Sequence, residues 1–154
     1  LIIGWMFIIF DFSADDGDES QTLSDKITIK VVHILKSDYD SMPRIEQKKY
    51  FNKVSFVVRK IGHFGEYGIL GLLVTGFLLT FERIRSLKKR YIFLFTTLWC
   101  MLYALTDEAH QLFVKGRSAR IGDVFVDMIG GLVAAVILVA IWKKINRRKN
   151  YEKV

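Results

Sequence analysis

A chain of 154 residues is the size of one domain, and this one is 51% apolar and 14% aromatic with a mean hydropathy of +0.25. Its charged residues, 25% of the total, sum to +7, but the densest lysines and arginines sit at the ends of apolar runs and form no basic face interleaved with aromatics. That pattern belongs to an integral membrane protein and excludes a nucleic-acid binder.

The first apolar run, Leu1–Phe12, is shorter than the roughly 20 residues needed to cross a hydrocarbon core. It reads as the outer end of a membrane helix that starts upstream. A signal-peptide core is the rival reading, but no Ala-x-Ala-like cleavage pattern follows. The next segment, Ser13–Ser20, is acidic and turn-prone. From Ser24 to Leu35 the apolar positions Ile27, Val31, Ile34 and Leu35 fit a helix with Ser24 as N-cap, although Ile27, Ile29 and Val31 also fit a strand. Lysines interrupt the apolar face, so the reading is a short amphipathic helix on the membrane surface. After a break at Asp38–Met42, Pro43 suits the first turn of a new helix. Ile45, Phe51, Val54, Val58 and Ile61 then recur at helical spacing and lead into an apolar run over about Val57–Phe81. Gly62, Gly65, Gly68 and Gly71 recur along it and predict close approach to a neighbouring helix. A basic turn, Glu82–Arg90, is followed by a second long run, Tyr91–Phe113. A short turn over Val114–Arg120 leads to a third run, Ile121–Trp142, and the tail from Lys143 is basic. Cys100 is the only cysteine and lies within an apolar run, which excludes an intrachain disulfide and marks it as a small packing residue. Trp99, Trp142, Phe93 and Phe95 read as lipid-facing or interfacial aromatics.

The expected fold is all-α: one membrane domain over 1–154, a bundle of four transmembrane helices at about 1–12, 57–81, 91–113 and 121–142. The first is truncated, and an extracellular amphipathic segment follows it. The basic blocks 82–90 and 143–154 fall on one side and place both termini in the cytoplasm.

That topology brings ionisable residues of three helices to the outer leaflet. His63 and Glu66 lie in the first turns of one helix, Asp107, Glu108, His110 and Gln111 in the last turns of the next, and Asp123 and Asp127 in the first turns of the last. All fall within roughly 10 Å of the outer boundary at 1.5 Å per residue. His63 with Glu66 and Tyr67, Asp107 with His110 and Gln111, and Asp123 with Asp127 each share a helix face. Ionisable groups are costly at membrane depth, so such a cluster marks a functional site.

Crowded carboxylates in a low dielectric retain a proton that can serve general acid catalysis. Alternatively, His63, His110 and carboxylates could hold a divalent metal, although Asp107-Glu108-x-x-Gln111 is not a His-Glu-x-x-His pattern. Arg59, Lys60, Arg117 and Arg120 at the rim suit a phosphate. The competing reading is structural: polar contacts between membrane helices fix their register.

Arg59-Lys60-x-x-His63-Phe64-x-Glu66-Tyr67, then Thr106-Asp107-Glu108-x-His110-Gln111-x-Phe113, then Arg117, Asp123, Asp127 and Gly130 form an ordered set of motifs. With Phe12-Ser13 after the first helix, this set resembles the VanZ-like family of bacterial membrane proteins, over Phe10 to about Leu132. The resemblance implies a small polytopic protein of the cell membrane, typical of Gram-positive bacteria. The founding member of that family is associated with low-level resistance to teicoplanin, a glycopeptide antibiotic. The expected function is an outer-leaflet pocket that acts on or binds a lipid-linked or cell-surface molecule. Catalytic candidates are His63, Glu66, Asp107, Glu108, His110 and Asp123; binding candidates are Arg59, Lys60, Tyr67, Gln111, Arg117 and Asp127. Expected partners are membrane lipids and a lipid-linked cell-wall precursor or glycopeptide. A non-catalytic binding module and a structural protein with a charged core are the alternatives. A proton-coupled carrier would want ionisable groups at mid-membrane, and a common membrane lipid phosphatase would carry a Pro-Ser-Gly-His stretch; neither is present.

Overall fold

The structure, a computed structural model, describes residues 1–14, 17–114 and 119–151, with side chains over 1–14, 24–114 and 119–147. Its described residues form helices and connections only: α1 (Ile2–Ala14), α2 (Gly17–Leu35), a 3-10 turn (Tyr39–Ser41), α3 (Arg44–Thr80), α4 (Glu82–Arg85), α5 (Lys89–Gln111) and α6 (Ile121–Tyr151). Three of them, Arg44–Thr80, Lys89–Gln111 and Ile121–Arg147, are long and apolar enough to cross a membrane, while α1 is apolar but only 13 residues long.

Each long helix buries one stripe. On α3 it runs through Tyr67, Leu70, Gly71, Val74, Thr75 and Leu78; on α5 through Ile92, Thr96, Cys100 and Ala104. On α6 it runs through Asp127, Gly130, Gly131, Ala134, Ala135 and Val139. The three- and four-residue steps keep these positions on one face. Most of the residues are small, as expected where lipid supplies no hydrophobic drive and helices associate by close packing. Gly71 and Gly131 are in close contact: a Cβ on Gly71 would lie 2.6 Å from the Gly131 backbone, and one on Gly131 would lie 2.5 Å from Cys100 Sγ. Gly130 sits as closely on the Phe64 carbonyl. Of the recurrent glycines on α3, Gly68 and Gly71 approach α6, but Gly62 and Gly65 meet nothing within 4 Å, so the expected close approach covers only half of that run. Thr75 and Thr96 hydroxyls, 3.0 Å apart and fully buried, join α3 to α5.

Large apolar side chains point the other way. Phe77, Leu94, Phe95, Leu102, Val136, Ile137 and Ile141 are exposed on the outward faces, an arrangement suited to a lipid surround. Phe95 and Trp99 stack at 6.1 Å on that surface. Phe93, expected with them, is instead partly buried against the core, and Trp142 packs under Lys89 at 4.9 Å.

α1 lies on the seam between α3 and α5. The Trp5 indole donates to the Glu66 carbonyl at 2.9 Å and the Tyr103 hydroxyl to the Met6 carbonyl at 2.5 Å, while Ile9 and Ser13 are buried beneath. Segment 24–35 is helical, which settles the helix-or-strand ambiguity, but the helix begins at Gly17 and Ser24 lies inside it. Its buried face carries Thr28 and Val32, whereas Ile27, Ile34 and Leu35 are exposed, so the face is rotated from the expected one. Val32 packs with Tyr39 and Val54 into a small second cluster against the start of α3. Pro43 stands as the N-cap of α3, with extended ψ of 140°, one residue ahead of the expected first turn.

Candidate functional site

Above Tyr67 on α3, above Ala104 on α5 and ahead of Gly130 on α6, the buried stripes turn from apolar to polar. The helical repeat that packs the core therefore also carries Lys60 and His63, Asp107, Glu108 and Gln111, and Asp123 and Asp127 to the same end of the bundle. Asp127 is the most enclosed, with 0% exposure, and its Oδ1 lies 3.4 Å from His63 Nδ1. One turn towards the helix end, Asp123 forms an ion pair with Lys60. Both pairs tie α3 to α6.

From α5, Glu108 Oε2 accepts a 2.5 Å hydrogen bond from the Arg120 backbone N–H, immediately before α6. A carboxylate at a helix N-terminus satisfies an otherwise unpaired amide and meets the positive end of the helix dipole. Asp107 is buried beside it, and its Oδ2 accepts from Gln111 Nε2 at 3.5 Å. Glu66, Asp107 and Asp127 all act electrostatically on His63, and His63, Asp107 and Asp127 on Glu108. The acids and the imidazole thus form one charge cluster shared by three helices.

Buried polar atoms of the cluster with neither a hydrogen bond nor an ion pair among the described residues include Asp127 Oδ2, Glu108 Oε1, His110 Nδ1 and the Tyr67 hydroxyl. Tyr67 is also fully buried, its ring 6.2 Å from that of Tyr103. Buried polar groups without partners are costly, so these atoms call for a proton, a water or a polar group of a ligand. Among the described residues no three histidine, cysteine, aspartate or glutamate side chains are placed to hold a metal ion.

The candidate residues occupy different places in the bundle. Asp127, a binding candidate, occupies the centre, and Asp123, a catalytic candidate, pairs with Lys60 at the rim. His110 turns towards α1, its ring tilted against that of Phe10 with centroids 4.4 Å apart. Glu66 is half-buried on the α3 face towards α1, where its carbonyl receives Trp5. The side chains of Arg59 and Arg120 are exposed, and Arg117 lies outside the described residues. Sequence reasoning missed Trp5, Phe10 and Tyr103, which hold α1 over the site. For Tyr103 a signal existed, since it lies four residues before Asp107 on the same helical face.

No curated protein and no solved structure matches the chain. The family model described as VanZ/LLP1 matches residues 1–143, so nearly all of the helical bundle, with every residue of the cluster, falls within it. The chain belongs to the VanZ/LLP1 family.

Proposed function

We propose that this protein acts in the bacterial envelope, and that the His63–Asp127 pair is the proton-handling centre of an outer-leaflet site for a lipid-linked or cell-surface molecule. The observation that carries this reading is the enclosed Asp127 carboxylate, one oxygen facing His63 and the other without a partner. An imidazole oriented by a buried carboxylate can take a proton from a polar group and return it. Tyr67 supplies a hydroxyl at the same depth, and Lys60 and Asp123 form a breakable ion pair at the mouth through which an anionic headgroup could be received. In this reading α1, α3, α5 and α6 all cross the membrane within a single domain, both termini are cytoplasmic, and a Gram-positive cell-wall precursor or a glycopeptide such as teicoplanin is among the molecules handled.

Two observations favour a second, structural reading. Lys60–Asp123 and Glu108–Arg120 each join separate helices and would fix helix register without any chemistry. Asp127→Asn and His63→Gln separate the two. Both are nearly isosteric and neither touches those register contacts. Mass spectrometry of envelope lipids, together with teicoplanin susceptibility, compares cells carrying each variant with cells carrying the parent and cells lacking the protein. Loss of the protein-dependent change at normal membrane levels supports the site. Full retention of it by both variants leaves the structural reading.

A further inference from the structure

The opposite end of the bundle, roughly 30 Å along α6 from Asp123, gathers charge of one sign. Residues 82–90 and 143–147 carry eight lysines and arginines against the single carboxylate of Glu82. Three of these cations, from three helices, converge. Lys89 Nζ at the start of α5 donates to the Arg85 carbonyl of α4 at 2.7 Å and lies 4.9 Å over the Trp142 ring of α6. Lys143, next to Trp142, and Arg85 are near enough for their charges to act on Lys89. A carbonyl and a ring face carry no full negative charge. Glu82, whose side chain is 92% exposed, pairs with Arg85 at 3.3 Å. Among the described residues no carboxylate pairs with Lys89 or Lys143.

Cations that only mark a helix end in the membrane can splay apart into water, because long side chains snorkel independently. Holding three of them together without a matching counter-charge costs repulsion, so the arrangement calls for an anion. We propose that Arg85, Lys89 and Lys143 form a seat for the phosphate of an anionic membrane phospholipid. Charge selects the class of headgroup, and the surroundings select a lipid over a soluble anion. Leu87, Tyr91, Ile141 and Ile145, each two residues from one of the lysines, are exposed side chains of the kind that faces lipid. Trp142 stands at the same level, in the interfacial position that tryptophan favours. A phosphate held here sits at a bilayer boundary, its charge against the cations and its acyl chains against apolar side chains. Basic pockets between membrane helices bind anionic headgroups in this way. The seat lies apart from the polar cluster and takes no part in its proposed chemistry.

The full chain, purified in detergent, is titrated with dioleoyl-phosphatidylglycerol and with dioleoyl-phosphatidylcholine, and lipid-bound species are followed by native mass spectrometry. One phosphatidylglycerol is expected to bind about tenfold more tightly than phosphatidylcholine. Lys89→Gln with Lys143→Gln lowers that affinity roughly twentyfold, about fivefold for each basic side chain removed. Lys143→Gln alone leaves the Lys89–Trp142 contact in place and lowers it about fivefold, which keeps the test open where the double variant does not assemble. Lys144→Gln with Arg147→Gln removes the same charge two and five residues beyond Trp142, on the other side of α6, and changes the affinity by less than about twofold. Equal losses in the two double variants, unchanged affinity in Lys143→Gln, or equal binding of the two lipids overturns the seat. Displacement of phosphatidylglycerol by an equal concentration of glycerophosphoglycerol, the same headgroup without acyl chains, makes the occupant a soluble anion and also overturns it.

Discussion

Asp127 on α6 faces His63 on α3 at 3.4 Å, deeper in the bundle than the Lys60–Asp123 ion pair one turn away. The two contacts form a ladder along one helix interface, with the partly exposed rung outermost and the enclosed rung within. Removing one member of an enclosed pair strands the other without compensation. His63→Ala is therefore expected to destabilise the bundle by about 3 kcal/mol or more. Asp127→Asn, which leaves an uncharged hydrogen-bonding side chain beside His63, should cost far less. Unfolding titrations in mixed detergent micelles compare the two, and equal losses would count against the pair.

The outer rung is suited to a double-mutant cycle. Lys60→Met and Asp123→Asn each remove one charge, and the double variant removes both. Their coupling is expected at about 1–3 kcal/mol, with the double variant more stable than the sum of the single losses. A coupling near zero would mean that the two groups do not meet in the membrane.

Glu108 is predicted to act through its hydrogen bond to the Arg120 N–H and not through its charge alone. Glu108→Gln keeps a carbonyl acceptor and should retain most of the stability. Glu108→Ala leaves the amide unpaired and should cost about 1–2 kcal/mol, the range seen for helix caps. Amide hydrogen exchange at Asp123 and Val124 provides a local readout, expected to accelerate in the alanine variant.

The glycines divide into two classes. Gly71→Val puts atoms into the Gly131 backbone and should lower stability by about 3 kcal/mol or prevent assembly. Gly65→Ala meets nothing within 4 Å and should be neutral or raise stability by up to about 1 kcal/mol through helix propensity. A protease-accessibility series on the two variants orders them without requiring reversible unfolding.

Helix positions were legible because apolar runs and basic ends report membrane crossing directly. The runs expected at 57–81, 91–113 and 121–142 lie within α3, α5 and α6 apart from one or two end residues. Faces were legible in part: the spacings that grouped Asp107 with Gln111 and Asp123 with Asp127 are those that turn them inward, whereas Glu66 and His110, grouped with His63 and Asp107, lie towards α1. Pairing was not. Whether Lys60 meets Asp123 or Asp127 depends on how far α3 is slid along α6, and the seat of Gly71 on Gly131 sets that offset. The rotated face of α2 has a similar cause. Thr28 and Val32 were displaced in the apolar pattern by the larger Ile34 and Leu35, yet the smaller pair packs more closely on α3. The role of α1 was hidden because Trp5, Phe10 and Tyr103 resemble ordinary lipid-facing aromatics until their partners are known.

Because Gly71 and Gly131 leave no slack between their backbones, α3 cannot glide past α6 to widen the gap between His63 and Asp127. The spacing of that pair is thus held by a backbone contact one to two turns away along the two helices. α1, by contrast, meets this seam through side chains, among them the hydrogen bonds of Trp5 and Tyr103 and the Phe10–His110 ring pair.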